Sequence, residues 1–246
     1  MTERDLDVRE NPDLADDDIE DDDLLGDDGL LEEERELLSL DRSRPSEHQL
    51  TGGTTPGHAW LMLIGGVIGL FASIQLVLSE LQLLRDPDAI LACDINPVVG
   101  CGGSLSAWQS QLLFGMPNAL VGTAVFGVVI GAGVMFVARA RVARWFWQLM
   151  SLTVLGGLGF VAWFAYQSMA NLRTLCPWCM VSWAVVIMVG FQTLGRAAQA
   201  GHLPIGRSAS RFLLRERWLL TVLTFLVIIV AAIIVFWTQW SMMLGI

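Results

Sequence analysis

The chain has 246 residues, 54% of them hydrophobic and 16% charged, with a mean hydropathy of +0.54. An ordinary soluble domain carries about 25% charged residues, so a water-soluble globular protein is excluded. The net charge of −10 averages two unlike parts, since residues 1–50 hold 20 of the 25 acids and residues 51–246 hold 10 of the 15 basic residues, all of them arginine.

Residues 1–57 read as a disordered, acidic cytoplasmic tail and linker. The runs Asp16–Asp18, Asp21–Asp23 and Glu32–Glu34 leave too little apolar surface to offset the entropy of ordering. Within this tail Leu30–Leu40 is a candidate for a transient helix, and Thr51–Gly57 is a Gly/Thr/Pro linker. Five uncharged stretches follow: His58–Ser79, Asn118–Ala138, Trp145–Leu172, Leu175–Leu194 and Trp218–Ile246. Each is long enough for a hydrocarbon core that needs about 20 helical residues. The first lies behind some fifty polar residues and is no signal peptide. Gly65, Gly66, Gly127, Gly131, Gly133, Gly156 and Gly157 read chiefly as helix-packing positions. The spans offer no buried acid or base except Glu80, just past the end of the first, which argues against an ion-coupled pathway.

The connections differ in charge. Arg139, Arg141 and Arg144 lie between spans two and three, and Arg196, Arg207, Arg211, Arg215 and Arg217 lie between four and five. The other two connections hold only Arg85 and Arg173. By the positive-inside rule the N-terminus is cytoplasmic, and the 80–117 loop, the 173–174 turn and the C-terminus are extracytoplasmic in a multi-pass cell-membrane protein. In the outer loop Asn96, Pro97 and Gly100 are turn chemistry. Leu105, Trp108, Leu112 and Leu113 then fall on one face of a short amphipathic helix, and Pro117 starts span two.

Arginine placement alone puts all four cysteines on one side, the side where disulfides persist. Cys93 and Cys101 lie in the outer loop; Cys176-Pro177-Trp178-Cys179 opens the fourth span. Residues three apart on a helix are neighbours, so Cys176 and Cys179 are able to close a disulfide. Free N–H groups at the helix start favour a thiolate there. His48, His58 and His202 fall on the opposite side, so no metal site is expected. Redox traffic between two cysteine pairs is the favoured reading. The competing one is a small membrane transporter or assembly factor with a structural disulfide, in which Cys179→Ser would leave function intact.

Cys93-Asp94…Cys101-Gly102, Gly115-Met116-Pro117-Asn118…Gly122 and Cys176-Pro177-Trp178-Cys179 resemble the vitamin K epoxide reductase family, specifically its bacterial members, from about Trp60 to Gly195. In the DsbB family, which also has four spans and four cysteines, the order of the two pairs is reversed. The resemblance implies an all-α membrane protein: a four-helix transmembrane bundle around a quinone over 58–195, capped by the 80–117 loop. A basic cytoplasmic loop over 196–217 and a fifth transmembrane helix over 218–246 complete the expected domain plan.

It also implies chemistry. Cys93 meets the thiols of a partner, the loop swings Cys101 to Cys176, and Cys179 lies against the ring of a menaquinone- or ubiquinone-class acceptor. Asn118 matches a quinone-binding position. The family's Ser/Thr position falls on Ala107 here, leaving Ser106 or Ser104 as the substitute, and Trp183 stands where some members have tyrosine. The expected partners are a separate DsbA-like thioredoxin-fold protein, a membrane quinone and the lipid bilayer, with no nucleic acid. A quinone epoxide as natural acceptor is the related alternative.

Overall fold

The computed structural model describes residues 45–96, 98–111 and 115–244; the acidic stretch before Pro45, with the Leu30–Leu40 candidate helix, lies outside the described residues. The described part of the expected tail, 45–57, is folded. Ser46 caps a short helix, α1 (Glu47–Leu50): its Oγ accepts from Gln49 N while the Gln49 side chain accepts from Ser46 N. This reciprocal capping box satisfies two otherwise free helix-start donors. The Gly52 carbonyl then accepts from Trp147 Nε1 at 2.9 Å, and Gln49 and Thr54 are buried. These residues therefore depart from the expectation of a disordered linker, because the start of the third span gives them hydrogen-bonding partners.

Among the described residues five helices are long and apolar enough to cross a membrane. They are α2 (Pro56–Arg85), α4 (Asn118–Val137), α5 (Arg144–Gln167, extended by a π-helical turn over Ser168–Leu172), α6 (Pro177–Gln199) and α7 (Arg207–Val235). Helices are dictated here because no water is present in a bilayer to take up free backbone groups. α2 packs along α4 and α6, and α6 also packs against α5 and α7, so the fourth span is central. Arg173, at φ 55°, ends the third span in a left-handed turn, and the chain re-enters at Pro177.

The expected 196–217 loop is mostly helix. Only residues 200–206 connect α6 to α7, and α7 begins eleven residues before Trp218. Arginine marks where the hydrocarbon ends, yet it is a good helix former and the helix continues into the polar zone. At the other end α7 stops at Val235, Phe236 is fully buried, and a separate helix α8 (Trp237–Leu244) follows.

The expected helix from Leu105 is also broken, into α3 (Gly102–Leu105) and a 3₁₀ turn at Trp108–Gln111; Leu112 and Leu113 lie outside the described residues. Ser110 Oγ donates to the Leu105 and Ala107 carbonyls, and Asn118 Nδ2 donates to the Gln109 carbonyl at 2.7 Å. Side chains that bond the backbone in this way compete with a continuous helix.

The glycines divide. A Cβ on Gly133 would lie 2.7 Å from the Leu63 backbone nitrogen, and one on Gly69 would lie 2.3 Å from the Phe126 ring, so spans one and two touch through them. Gly127, Gly131 and Gly156 would meet nothing, so they are not packing positions. Gly133→Val is therefore expected to lower stability by about 1–3 kcal/mol through overpacking, with Gly131→Ala neutral. Thermal unfolding in detergent checks both.

Candidate active site

Asp94 organises the loop that carries the first cysteine pair. Its carboxylate accepts from Cys101 N at 2.7 Å, Gly102 N at 3.1 Å and Leu91 N at 3.2 Å. Asn96 Oδ1 accepts from Val98 N and Val99 N, closing the turn between the cysteines. Gly100 must be small, since a Cβ there would lie 2.7 Å from Asp94 Oδ1. Cys93 and Cys101 are joined in a disulfide with Cα atoms 5.8 Å apart.

A short parallel bridge fastens this loop to the chain just before the CxxC. Leu175 N donates to the Val98 carbonyl at 2.8 Å, Gly100 N donates to the Leu175 carbonyl at 3.0 Å, and Thr174 Oγ1 donates to the Gly100 carbonyl at 3.2 Å. Leu91, Val98, Leu105, Met169 and Leu175 bury the junction. The consequence is a contact of sulfurs from distant parts of the sequence: Cys176 Sγ lies 3.3 Å from Cys101 Sγ. The bridge thus places Cys101 beside Cys176 without the swing of the loop that was expected to bring them together.

Cys176 is the N-cap of α6 and Pro177 fills its first turn, where a missing N–H is harmless. Cys176 and Cys179 are free thiols, and Cys179 N donates to Cys176 Sγ at 3.4 Å. The Cys179 thiol beside it holds Cys176 below the ordinary thiol range; the Cys179 and Trp178 backbone N–H groups assist, while burial and the Asp94 charge oppose. The electrostatics thus favour a thiolate at the sulfur that faces Cys101.

Below the cysteines lies a cavity of about 570 Å³, within the range of small-molecule sites. Cys179 forms part of its wall. So do Asn118, Trp183, Ser104, Ser110 and Glu80, with Phe126, Phe160 and Phe164 supplying aromatic surface. Trp183 is buried edge-on to Phe164. Asn118 donates to the Gln109 carbonyl, so its amide is oriented by the loop above. Ser106 is exposed and is not among the lining residues, whereas Ser104 is buried there with its Oγ unpartnered. Of the two serines left open by sequence, Ser104 is the one at the cavity. Ser104 and Ser106 are only two positions apart, and the α3 turn points them in different directions.

Ser110, Ser182 and the role of Glu80 in the wall went unread in the sequence. Glu80 carried a signal, as the acid at the end of the first uncharged stretch; the serines carried none. Spans two and three scarcely touch, so the cavity reaches the side of the bundle between Val121 and Val125 on α4 and Thr153 and Gly156 on α5. An apolar, aromatic wall with unpartnered polar atoms at Ser104, Ser182 and Glu80 fits a lipid-soluble ring bearing carbonyl oxygens.

The model of the Vitamin K epoxide reductase family matches residues 60–194, more than half of the chain. No curated protein matches the chain. Both cysteine pairs and the residues of the cavity wall fall inside the matched segment, and proteins of this kind are quinone-using membrane oxidoreductases. The chain belongs to the vitamin K epoxide reductase family and is a multi-pass membrane redox protein.

Proposed function

We propose that the chain oxidises thiols of an extracytoplasmic, DsbA-like thioredoxin-fold partner and passes the electrons to a membrane quinone, driving disulfide formation. The observation that carries this reading is the 3.3 Å approach of Cys101 Sγ to Cys176 Sγ, with Cys179 in the wall of an apolar cavity. In order, Cys93 takes a partner thiolate in a mixed disulfide, and the partner's second thiol releases Cys93 and Cys101 as thiols. The Cys101 thiolate attacks Cys176 of a Cys176–Cys179 disulfide and displaces Cys179. Cys93 then attacks Cys101, which restores the Cys93–Cys101 disulfide and leaves Cys176 and Cys179 reduced.

A bound quinone supplies the two-electron sink. The chain's residues do the rest: Asn118, Ser104 and Trp183 orient the ring, and the apolar wall excludes water. Positive-inside charge supports a cytoplasmic N-terminus and extracytoplasmic cysteines, and the matched segment supports 58–195 as the catalytic core, with α7 outside it. Cys93 is only 6% exposed, so the partner must open the loop locally; Ile90 and Ile95 on either side of it are exposed apolar side chains that a partner could cover.

The test is covalent trapping. Cys101→Ala leaves Cys93 without its resolving thiol, so a thioredoxin-fold oxidase mixed with this variant should be held as a mixed disulfide. Non-reducing electrophoresis reads the adduct, and the absence of any adduct would count against the reading.

A further inference from the structure

Reduction of a quinone needs two protons as well as two electrons, and among the described residues of the cavity wall two side chains are ionisable, Cys179 and Glu80. We propose that Glu80 is the acid that delivers one of those protons, an inference that rests on the quinone reading above. Glu80 sits in the outer third of α2, is 6% exposed, and has its Oε1 buried without a partner. Gln111, exposed at the end of the 3₁₀ turn, directly follows Ser110 of the same wall, so this end of the cavity wall lies next to a water-facing amide. Among the described lining residues no arginine, histidine or second carboxyl group faces it. Asn118 from α4 and Ser182 and Cys179 from α6 complete its side of the wall, and Arg85 and Arg173 at the same end are exposed.

Cys176 does not line the cavity, and in the relay above it is the group expelled when Cys93 attacks Cys101, so it enters this step as a thiolate that accepts from Cys179 N. The balanced step is then Cys176 thiolate, Cys179 thiol, Glu80 acid and quinone going to the Cys176–Cys179 disulfide, Glu80 carboxylate and quinol. The S–S bond forms as the two sulfurs lose two electrons. One proton leaves Cys179 and the other leaves Glu80, and Glu80 is reprotonated from water past Gln111. A carboxyl group with no cation beside it suits this duty, because the apolar wall accommodates the neutral acid and disfavours the lone anion.

The experiment uses the full chain in nanodiscs with a short-tailed benzoquinone, comparing wild type, Glu80→Gln and Glu80→Asp. In a single turnover of the pre-reduced protein, Glu80→Gln is expected to slow quinone reduction about a hundredfold, while Cys101–Cys176 exchange, read by thiol labelling, stays unchanged. The wild-type rate should fall with rising pH as the acid is lost, and this dependence should vanish in Glu80→Gln and persist in Glu80→Asp. A second reading needs no turnover: adding quinone to the oxidised protein should shift the infrared carbonyl stretch of a protonated carboxyl group, a band missing from Glu80→Gln. Glu80→Gln reducing quinone within twofold of wild type, or no such band, overturns the proposal and leaves the thiol oxidase reading standing. Wild type that reduces no quinone overturns both. If Glu80→Gln fails to fold, the infrared band and a solvent deuterium isotope effect on wild type decide, and an isotope effect near unity overturns it.

Discussion

Cys179→Ser is expected to drop quinone reduction to the uncatalysed background, a loss on the order of 10³-fold or more, as befits removal of a group that acts as a unit with its neighbour. Serine has no sulfur with which to close the CxxC, so Cys176 is left with a single exchange partner, Cys101 at 3.3 Å. Its thiolate attacks Cys101 Sγ and expels Cys93, and nothing on the cavity side resolves the product. A Cys101–Cys176 disulfide should therefore accumulate, and peptide mapping under non-reducing conditions checks it. Serine is close in size to cysteine, so the packing around Trp183 and Phe164 should survive. The transporter or assembly-factor reading makes the opposite prediction: function intact, and no cross-link of 101 to 176.

Asp94→Ala is the second large effect, and here two influences oppose one another. The Asp94 charge disfavours a thiolate at Cys176, so its removal alone would raise the reactive fraction. Its carboxylate also accepts three backbone N–H groups, at Leu91, Cys101 and Gly102. Each donor left unpaired costs about 1–3 kcal/mol, and the loop then moves away from the bridge at Val99 and Leu175. A displacement of about 1 Å in a reacting group is enough for a 10²-fold loss, whereas the thiolate gain is the smallest of the contributions at Cys176. Geometry wins. Relay between the pairs, followed by quenched thiol labelling, should slow about a hundredfold. Asp94→Asn keeps one accepting oxygen for Cys101 N and Gly102 N and should lose only about tenfold, while a relay faster than wild type in either variant would refute this weighting.

Much of the membrane architecture was legible because hydrophobic length is a one-dimensional property. Five uncharged stretches predicted five spanning helices, and the described residues hold five helices long and apolar enough to span. Helix ends were read less well. Charge reports where the hydrocarbon stops, while helix propensity and caps report where the helix stops, and the two differ by eleven residues at Trp218 and Arg207. The 45–57 segment was misjudged for a related reason: Gly52 and Gln49 look like linker chemistry until Trp147 and a capping box supply their partners.

The candidate site divides along the same line. Residue type and spacing pick out Cys93, Cys101, Cys176 and Cys179, since four cysteines in two pairs and a CxxC at a helix mouth are visible in order alone. The family resemblance added Asn118 and Trp183, and both lie at the cavity. What order along the chain could not decide was the meeting of Cys101 with Cys176, across 75 positions, or the bridge from Val98 to Leu175 that makes it. Nor could it separate Ser104 from Ser106, or place Glu80 in a wall shared with Cys179. Those facts depend on which side chains face one another across three helices and a loop, and that is settled only when backbone hydrogen bonds and packing close the structure in three dimensions.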